Sequence, residues 1–145
     1  ALAKGFAADK LKEYFEENGV DSALINLGGN VMAVGSKPDG TPWKIGIQDP
    51  HKERGEVAQV IEVTDRSVVS SGTYERSFEK DGVLYHHLLD PATGYPKEVE
   101  AAQVTIISDS SLLGDALSTS CLLIGEEAGT ELASEFDNVE IQYEE

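Results

Sequence analysis

Leu84-Tyr-His-His-Leu-Leu-Asp-Pro-Ala-Thr-Gly-Tyr-Pro96 decides how this chain must be built. Val83 to Leu88 has the bulk and branching of a strand. It is entered through Lys80-Asp81-Gly82, and Asp-Gly between two apolar runs is a strong hairpin signal. It ends at Asp90-Pro91, because proline cannot donate to a ladder and Thr93-Gly94 before Pro96 supplies turn chemistry. Such a strand end delivers imidazole and carboxylate groups into a rigid loop, a frequent setting for chemistry. It is equally an ordinary β-turn in which Asp90 caps its own backbone and the histidines pack. Taken alone, the segment favours that plainer reading. His86 and His87 point to opposite faces of a strand, so at most one of them can face a site.

Working outward, the same hairpin logic recurs. Ala23 to Leu27 and Val31 to Val34 are strands around Gly28-Gly29-Asn30. Trp43 to Pro50 alternates, with Trp43, Ile45 and Ile47 on one face and Pro50 as its stop. Val60 to Thr64 and Ser67 to Ser71 are strand-like and joined by a turn at Asp65-Arg66; Tyr74 to Phe78 and Ala102 to Ile107 are further β runs. Phe6 to Asn18 reads as an amphipathic helix with Phe6, Leu11, Tyr14 and Phe15 as its stripe and Gly19 as its stop. Ser108 or Asp109 can cap a helix that runs to Gly125; Glu127 to Phe136 is a further helix and Val139 to Tyr143 a last strand. The expected fold is α+β: a mixed, largely antiparallel sheet with flanking helices. The alternating βαβ rhythm of a dinucleotide-binding domain is absent, as are G-x-G-x-x-G and P-loop signatures.

At 145 residues, with 40% hydrophobic residues and 14 glycines, residues 1–145 suit one globular domain rich in turns. The lone Cys121 excludes an internal disulfide and a cysteine-based zinc site. A net charge of −16 argues against nucleic acid and anionic membrane surfaces as direct partners. The same charge would repel a phosphate-bearing ligand unless a cation bridged it.

Three constellations can carry chemistry. Asp115 and Thr119, four residues apart on the predicted helix, share one face. Two hard oxygen donors so placed suit Mg²⁺, which completes its shell with water and phosphate oxygens. The plainer alternative leaves Asp115 in solvent and Thr119 bonded back to a helix carbonyl. Gly28 and Gly29 would let backbone pass close to a ligand and free N–H groups for an anion, or simply close a tight hairpin. Ser71 to Arg76 offers hydroxyls and a guanidinium; Arg76 contacts an anion or pairs with a carboxylate. For zinc, no third nitrogen or sulfur ligand stands at useful spacing from the histidine pair.

Taken together and in order, six blocks resemble the ApbE-type FAD:protein FMN transferases, also labelled thiamine biosynthesis lipoproteins. They are Ala3-Lys-Gly-Phe-Ala-Ala-Asp9, Leu27-Gly-Gly-Asn30, Trp43-Lys-Ile-Gly-Ile with Asp49-Pro50, Ser71-Gly72 with Tyr74-Glu-Arg76, His87-Leu-Leu-Asp-Pro-Ala-Thr-Gly-Tyr-Pro96, and Asp115-Ala-Leu-Ser-Thr119. The resemblance implies an enzyme that moves the FMN portion of FAD onto a Thr or Ser hydroxyl of an acceptor protein and releases AMP. It implies Mg²⁺ as cofactor, FAD as substrate, and flavin-acceptor subunits of membrane redox complexes as partners. Carried over by position, Asp115 and Thr119 match the family's side-chain metal ligands and Ala1 the position that offers a backbone carbonyl. Lys4 matches an FAD contact, as do Gly28 and Gly29 at the Leu27-Gly-Gly-Asn30 block. His87, Leu88 and the Asp90 turn match the loop beside the flavin nucleotide. His87, or secondarily Asp115, is the expected group that deprotonates the acceptor hydroxyl.

The resemblance also implies that the chain is the C-terminal part of such an enzyme, whose N-terminal half, with much of the FAD pocket, would precede Ala1. It implies an extracytoplasmic location with a membrane anchor in the full-length protein. Two other functions would use the same residues: an FAD pyrophosphatase giving FMN and AMP, and a non-catalytic FAD-binding or assembly module.

Overall fold

A computed structural model describes residues 2–53, 55–74 and 76–145. Its centre is a five-stranded sheet of order β1-β2-β5-β8-β9, formed by Ala23–Asn26, Asn30–Val34, Ser67–Gly72, Gln103–Ser108 and Glu140–Glu144. Every neighbouring pair in it runs antiparallel, so the sheet is uniform where a mixed one was allowed for. Strands β2 and β8 are buried along their whole length. That pattern needs cover on both faces of the sheet.

One face is covered by β3 (Trp43–Gln48) and β4 (Val57–Val63), a separate antiparallel pair. Ile45, Ile47 and Val63 pack there on Val31, Ala33, Val68 and Ile107, with Trp43 at the margin, as the alternation of that segment predicts. The Asp65-Arg66 turn therefore joins two sheets, not two neighbours in one sheet. Asp65 adopts φ +54°, and its carboxylate accepts from the Gly35 N–H and from Lys12 Nζ.

The other face is covered by helices. Helix α2 (Ser111–Ile124) sets Leu117, Cys121 and Leu122 against Val104 and Ile106, with Leu132 of α3 (Glu126–Ser134), Ile141 and Tyr143 at the edge. Helix α1 (Ala3–Glu17) sets Ala8 against Ile25, Met32 and Val34. Helix α1 starts three residues before the predicted Phe6, and of the predicted stripe only Phe15 packs against the core. Phe6 and Tyr14 are 54% and 59% exposed, while Gly5 and Ala8 are buried. The reason is a close crossing with α2: a Cβ on Gly5 would stand 2.7 Å from the Leu112 Cα, so only small residues fit the contact.

Ser110 caps α2, accepting from the Leu113 N–H at 3.2 Å. Ser108 is instead the last residue of β8, and its hydroxyl donates to the Ser110 carbonyl. The predicted Asp81-Gly82 hairpin joins β6 (Ser77–Lys80) to β7 (Val83–His86), a third small sheet.

Candidate functional site

The first turn of α1, the β1–β2 turn and the first half of α2 meet at one place. The meeting is held by two carboxylates that cross between the helices. Asp9 of α1 accepts from the Ser111 N–H at 2.7 Å, the Leu112 N–H at 3.0 Å and the Ser110 hydroxyl at 2.8 Å. Asp115 of α2 accepts from the Gly5 N–H at 3.0 Å through Oδ2. Each helix thus caps the other's N-terminus, where N–H groups lack intrahelical partners and the dipole favours negative charge.

Asp115 is 5% exposed, not solvated. Among the described residues its Oδ1 has no hydrogen-bond partner, and it is not sealed off as a buried orphan either. One turn on, Thr119 Oγ1 lies 3.1 Å from Ser71 Oγ, so the hydroxyl is engaged across to β5 and not with its own helix. Lys4 Nζ donates to the Gly28 carbonyl at 3.1 Å. Gly28 and Gly29 adopt φ +64° and +88°, which a side chain would resist, and both are exposed at the turn. The turn closes the β1–β2 hairpin, and the Gly29 N–H donates within it to Asn26 Oδ1 at 3.3 Å. The structure therefore gathers Lys4, Gly28, Gly29, Asp115 and Thr119. Ala1 lies outside the described residues.

His87 stands in a second cluster. Arg76, Phe78, Tyr85, His86, His87 and Tyr95 line a cavity of about 410 Å³ at the end of β7. Phe78 and Tyr85 stack with centroids 5.1 Å apart and planes 6° from parallel. Strand β7 ends at His86, so strand alternation does not govern His87 and both imidazoles reach the same cavity. That corrects the expectation that only one could. The His86 imidazole is pushed below its ordinary pKa, first by burial and then by the neighbouring His87. Its Nδ1 accepts from the Leu88 N–H at 3.3 Å. No carboxylate among the described residues pairs with Arg76.

Asp90 serves its own turn, accepting from the Ala92 N–H at 2.8 Å. Leu88 points inward, 6% exposed, into the same apolar cluster as Leu117 and Cys121 of α2. It ties the histidine loop to the helix that carries Asp115. Among the described residues no hydrogen bond joins His87 to Asp115 or Thr119.

Chemically, the first cluster offers a free carboxylate oxygen, a hydroxyl and an ammonium. These suit a hard cation and an anion, not zinc. Among the described residues no group of three or more His, Cys, Asp or Glu side chains could hold a metal. Asp9, Ser71 and Ser118 also build this site. The residues from Ala3 to Asp9 and Ser71 stand in the sequence blocks quoted above, without any sign of what they bond to.

The ApbE family model matches residues 1–142. The chain is 43% identical over 148 residues to the FAD:protein FMN transferase of Treponema pallidum (strain Nichols), covering 97% of this chain and 41% of that protein. It is 43% identical over 129 residues to the FAD:protein FMN transferase of Klebsiella pneumoniae (strain 342), covering 89% and 39%. The crystal structure of the ApbE protein from Thermotoga maritima MSB8 superposes with a TM-score of 0.85 at 33% identity, over 98% of this chain and 46% of that one. The apo form of Pseudomonas stutzeri flavinyl transferase ApbE gives 0.78 at 38% identity, over 98% and 43%. The chain spans about two fifths of the length of the curated relatives it matches.

Proposed function

Because this chain belongs to the ApbE family, we propose that it forms the cation- and nucleotide-gripping part of an FAD:protein FMN transferase. The whole enzyme moves FMN from FAD to a Ser or Thr hydroxyl of an acceptor protein and releases AMP. The observation that carries this reading is Asp115. Its carboxylate is nearly closed to solvent, with one oxygen held by the Gly5 N–H and the other without a partner among the described residues, one helical turn from the Thr119 hydroxyl. A carboxylate needed only as a cap would be expected to satisfy both oxygens, as Asp9 does.

Asp115 and Thr119 would hold Mg²⁺, with Ala1 as the expected backbone ligand. When bound, the ion supplies neutralisation of charge on the FAD pyrophosphate, which a chain of net charge −16 otherwise repels. Lys4 exchanges the Gly28 carbonyl for a phosphate oxygen, and the bare backbone of Gly28 and Gly29 allows close approach of the nucleotide. The cavity at the end of β7 offers stacked aromatic faces and the Arg76 guanidinium, which suit a flat ring system bearing phosphate. The acceptor oxygen attacks the FMN phosphorus, and the bond to the AMP oxygen breaks. His87, exposed at the cavity, takes the hydroxyl proton. Burial lowers the pKa of His86, which disfavours a competing positive charge beside it. The acceptors are flavin-carrying subunits of membrane redox complexes, outside the cytoplasm.

The test mixes the protein with FAD, Mg²⁺ and an acceptor domain. Transfer appears as covalent flavin fluorescence on the acceptor, lost on Asp115→Ala. Free FMN without acceptor labelling means hydrolysis instead. Labelling that survives Asp115→Ala unchanged contradicts the assignment.

A further inference from the structure

The hydroxyls of Ser71, Ser118 and Thr119 form a hydrogen-bonded relay, and a cation at Thr119 suits one of its two directions. Ser71 Oγ, on β5, lies 2.9 Å from Ser118 Oγ and 3.1 Å from Thr119 Oγ1. Ser118 is fully buried, and its hydroxyl donates to the Asp115 carbonyl at 3.4 Å. A carbonyl oxygen can only accept, and each hydroxyl has a single proton to give. With the Ser118 proton on the Asp115 carbonyl, its oxygen receives the proton of Ser71. Ser71 then has none left for Thr119 and must receive the Thr119 proton. The Thr119 oxygen is left presenting lone pairs alone on its open side. A hydroxyl binds a cation in that form; with the relay reversed, Thr119 would aim its proton outward.

We propose that Ser71 is a positioning residue, which holds the Thr119 hydroxyl in the acceptor orientation toward a divalent cation shared with Asp115. This rests on the reading of Asp115 and Thr119 as cation ligands. Ser71 reaches them because it follows Val69 at a spacing of two on the helix-facing side of β5, directly beneath α2.

Mn²⁺ added alone to the chain tests this, with binding read from water-proton relaxation and stability from thermal unfolding without metal. Ser71→Ala is expected to weaken Mn²⁺ binding roughly 10–100-fold, the range for groups that orient a metal's ligands, with little change in Tm. Ser71→Thr keeps the oxygen and is expected to restore binding. If Ser71→Ala does not fold, Ser118→Ala cuts the relay one link further along and is expected to weaken binding in the same direction. Wild-type affinity in Ser71→Ala, with affinity lost in Thr119→Ala and Asp115→Asn, overturns the role of Ser71 and leaves the cation site standing. Equal losses in Ser71→Ala and Ser71→Thr also overturn it, since packing alone would then explain both. If the unmodified chain binds no Mn²⁺, the relay and the cation reading fall together.

Discussion

Asp9 and Asp115 perform mirror-image tasks, each capping the N-terminus of the helix that carries the other. They differ in how completely they are used. Asp9 engages both carboxylate oxygens with three donors of α2. Asp115 gives one oxygen to Gly5 and keeps the other free, although the residue is more buried than its counterpart. That second oxygen is not among the sealed, unsatisfied polar atoms, so it stays open at the surface of the site. The comparison separates a carboxylate used fully by the fold from one the fold uses only by half, within a single pair of crossing helices.

The largest expected effect is on Asp115→Asn. The amide keeps an acceptor for the Gly5 N–H but loses the charge, so Mn²⁺ affinity should fall by more than about 100-fold, beyond the usual loss of an outer-shell partner. Tm without metal should barely move. Next is Asp9→Ala, which strips three donors of their acceptor and should lower stability by about 2–3 kcal/mol in urea unfolding, with m unchanged. If Asp9→Ala remains folded yet loses Mn²⁺ as completely as Asp115→Asn, the division between the two carboxylates fails. Gly5→Ala sits between them. It forces the helices apart at Leu112, with an expected cost of about 1–3 kcal/mol and weaker Mn²⁺ binding together.

The smallest effect belongs to the far end of α2 and serves as a control. Tyr143, whose hydroxyl donates to the Gly125 carbonyl, has its pKa raised to about 12, mainly by burial. The unfolded chain loses this proton near the ordinary value of 10.0, before the folded one does. Stability from this group is therefore complete below that pH and declines as pH rises from it toward about 12. Tyr143→Phe should flatten that alkaline decline in Tm and leave Mn²⁺ binding unchanged.

Much of this was legible in the sequence where local physics decides. Asp81-Gly82 forces a hairpin, Trp43, Ile45 and Ile47 alternate onto one face, and Asp115 with Thr119 share a helical face by spacing alone. The buried face of α1 was not legible. Its bulky apolar residues suggested a stripe, but the approach of another backbone selects Gly5 and Ala8 instead. The turn at Asp65 looked local yet joins two sheets, because strand signals do not say which strands pair. Asp9 lies about a hundred residues from the N–H groups it accepts, and no pattern in a single chain announces such a cap. Likewise the convergence of His86 and His87 depends on where the strand ends, two residues before the Leu88 to which its apolar run extends.

The most direct test of the account is an anomalous difference map from crystals of the protein soaked in Mn²⁺. The predicted result is a single strong peak within coordination distance of Asp115 Oδ1 and Thr119 Oγ1. No peak there, or a peak only among Glu16, Asp21 and Asp65 at the opposite end of α1, would contradict it.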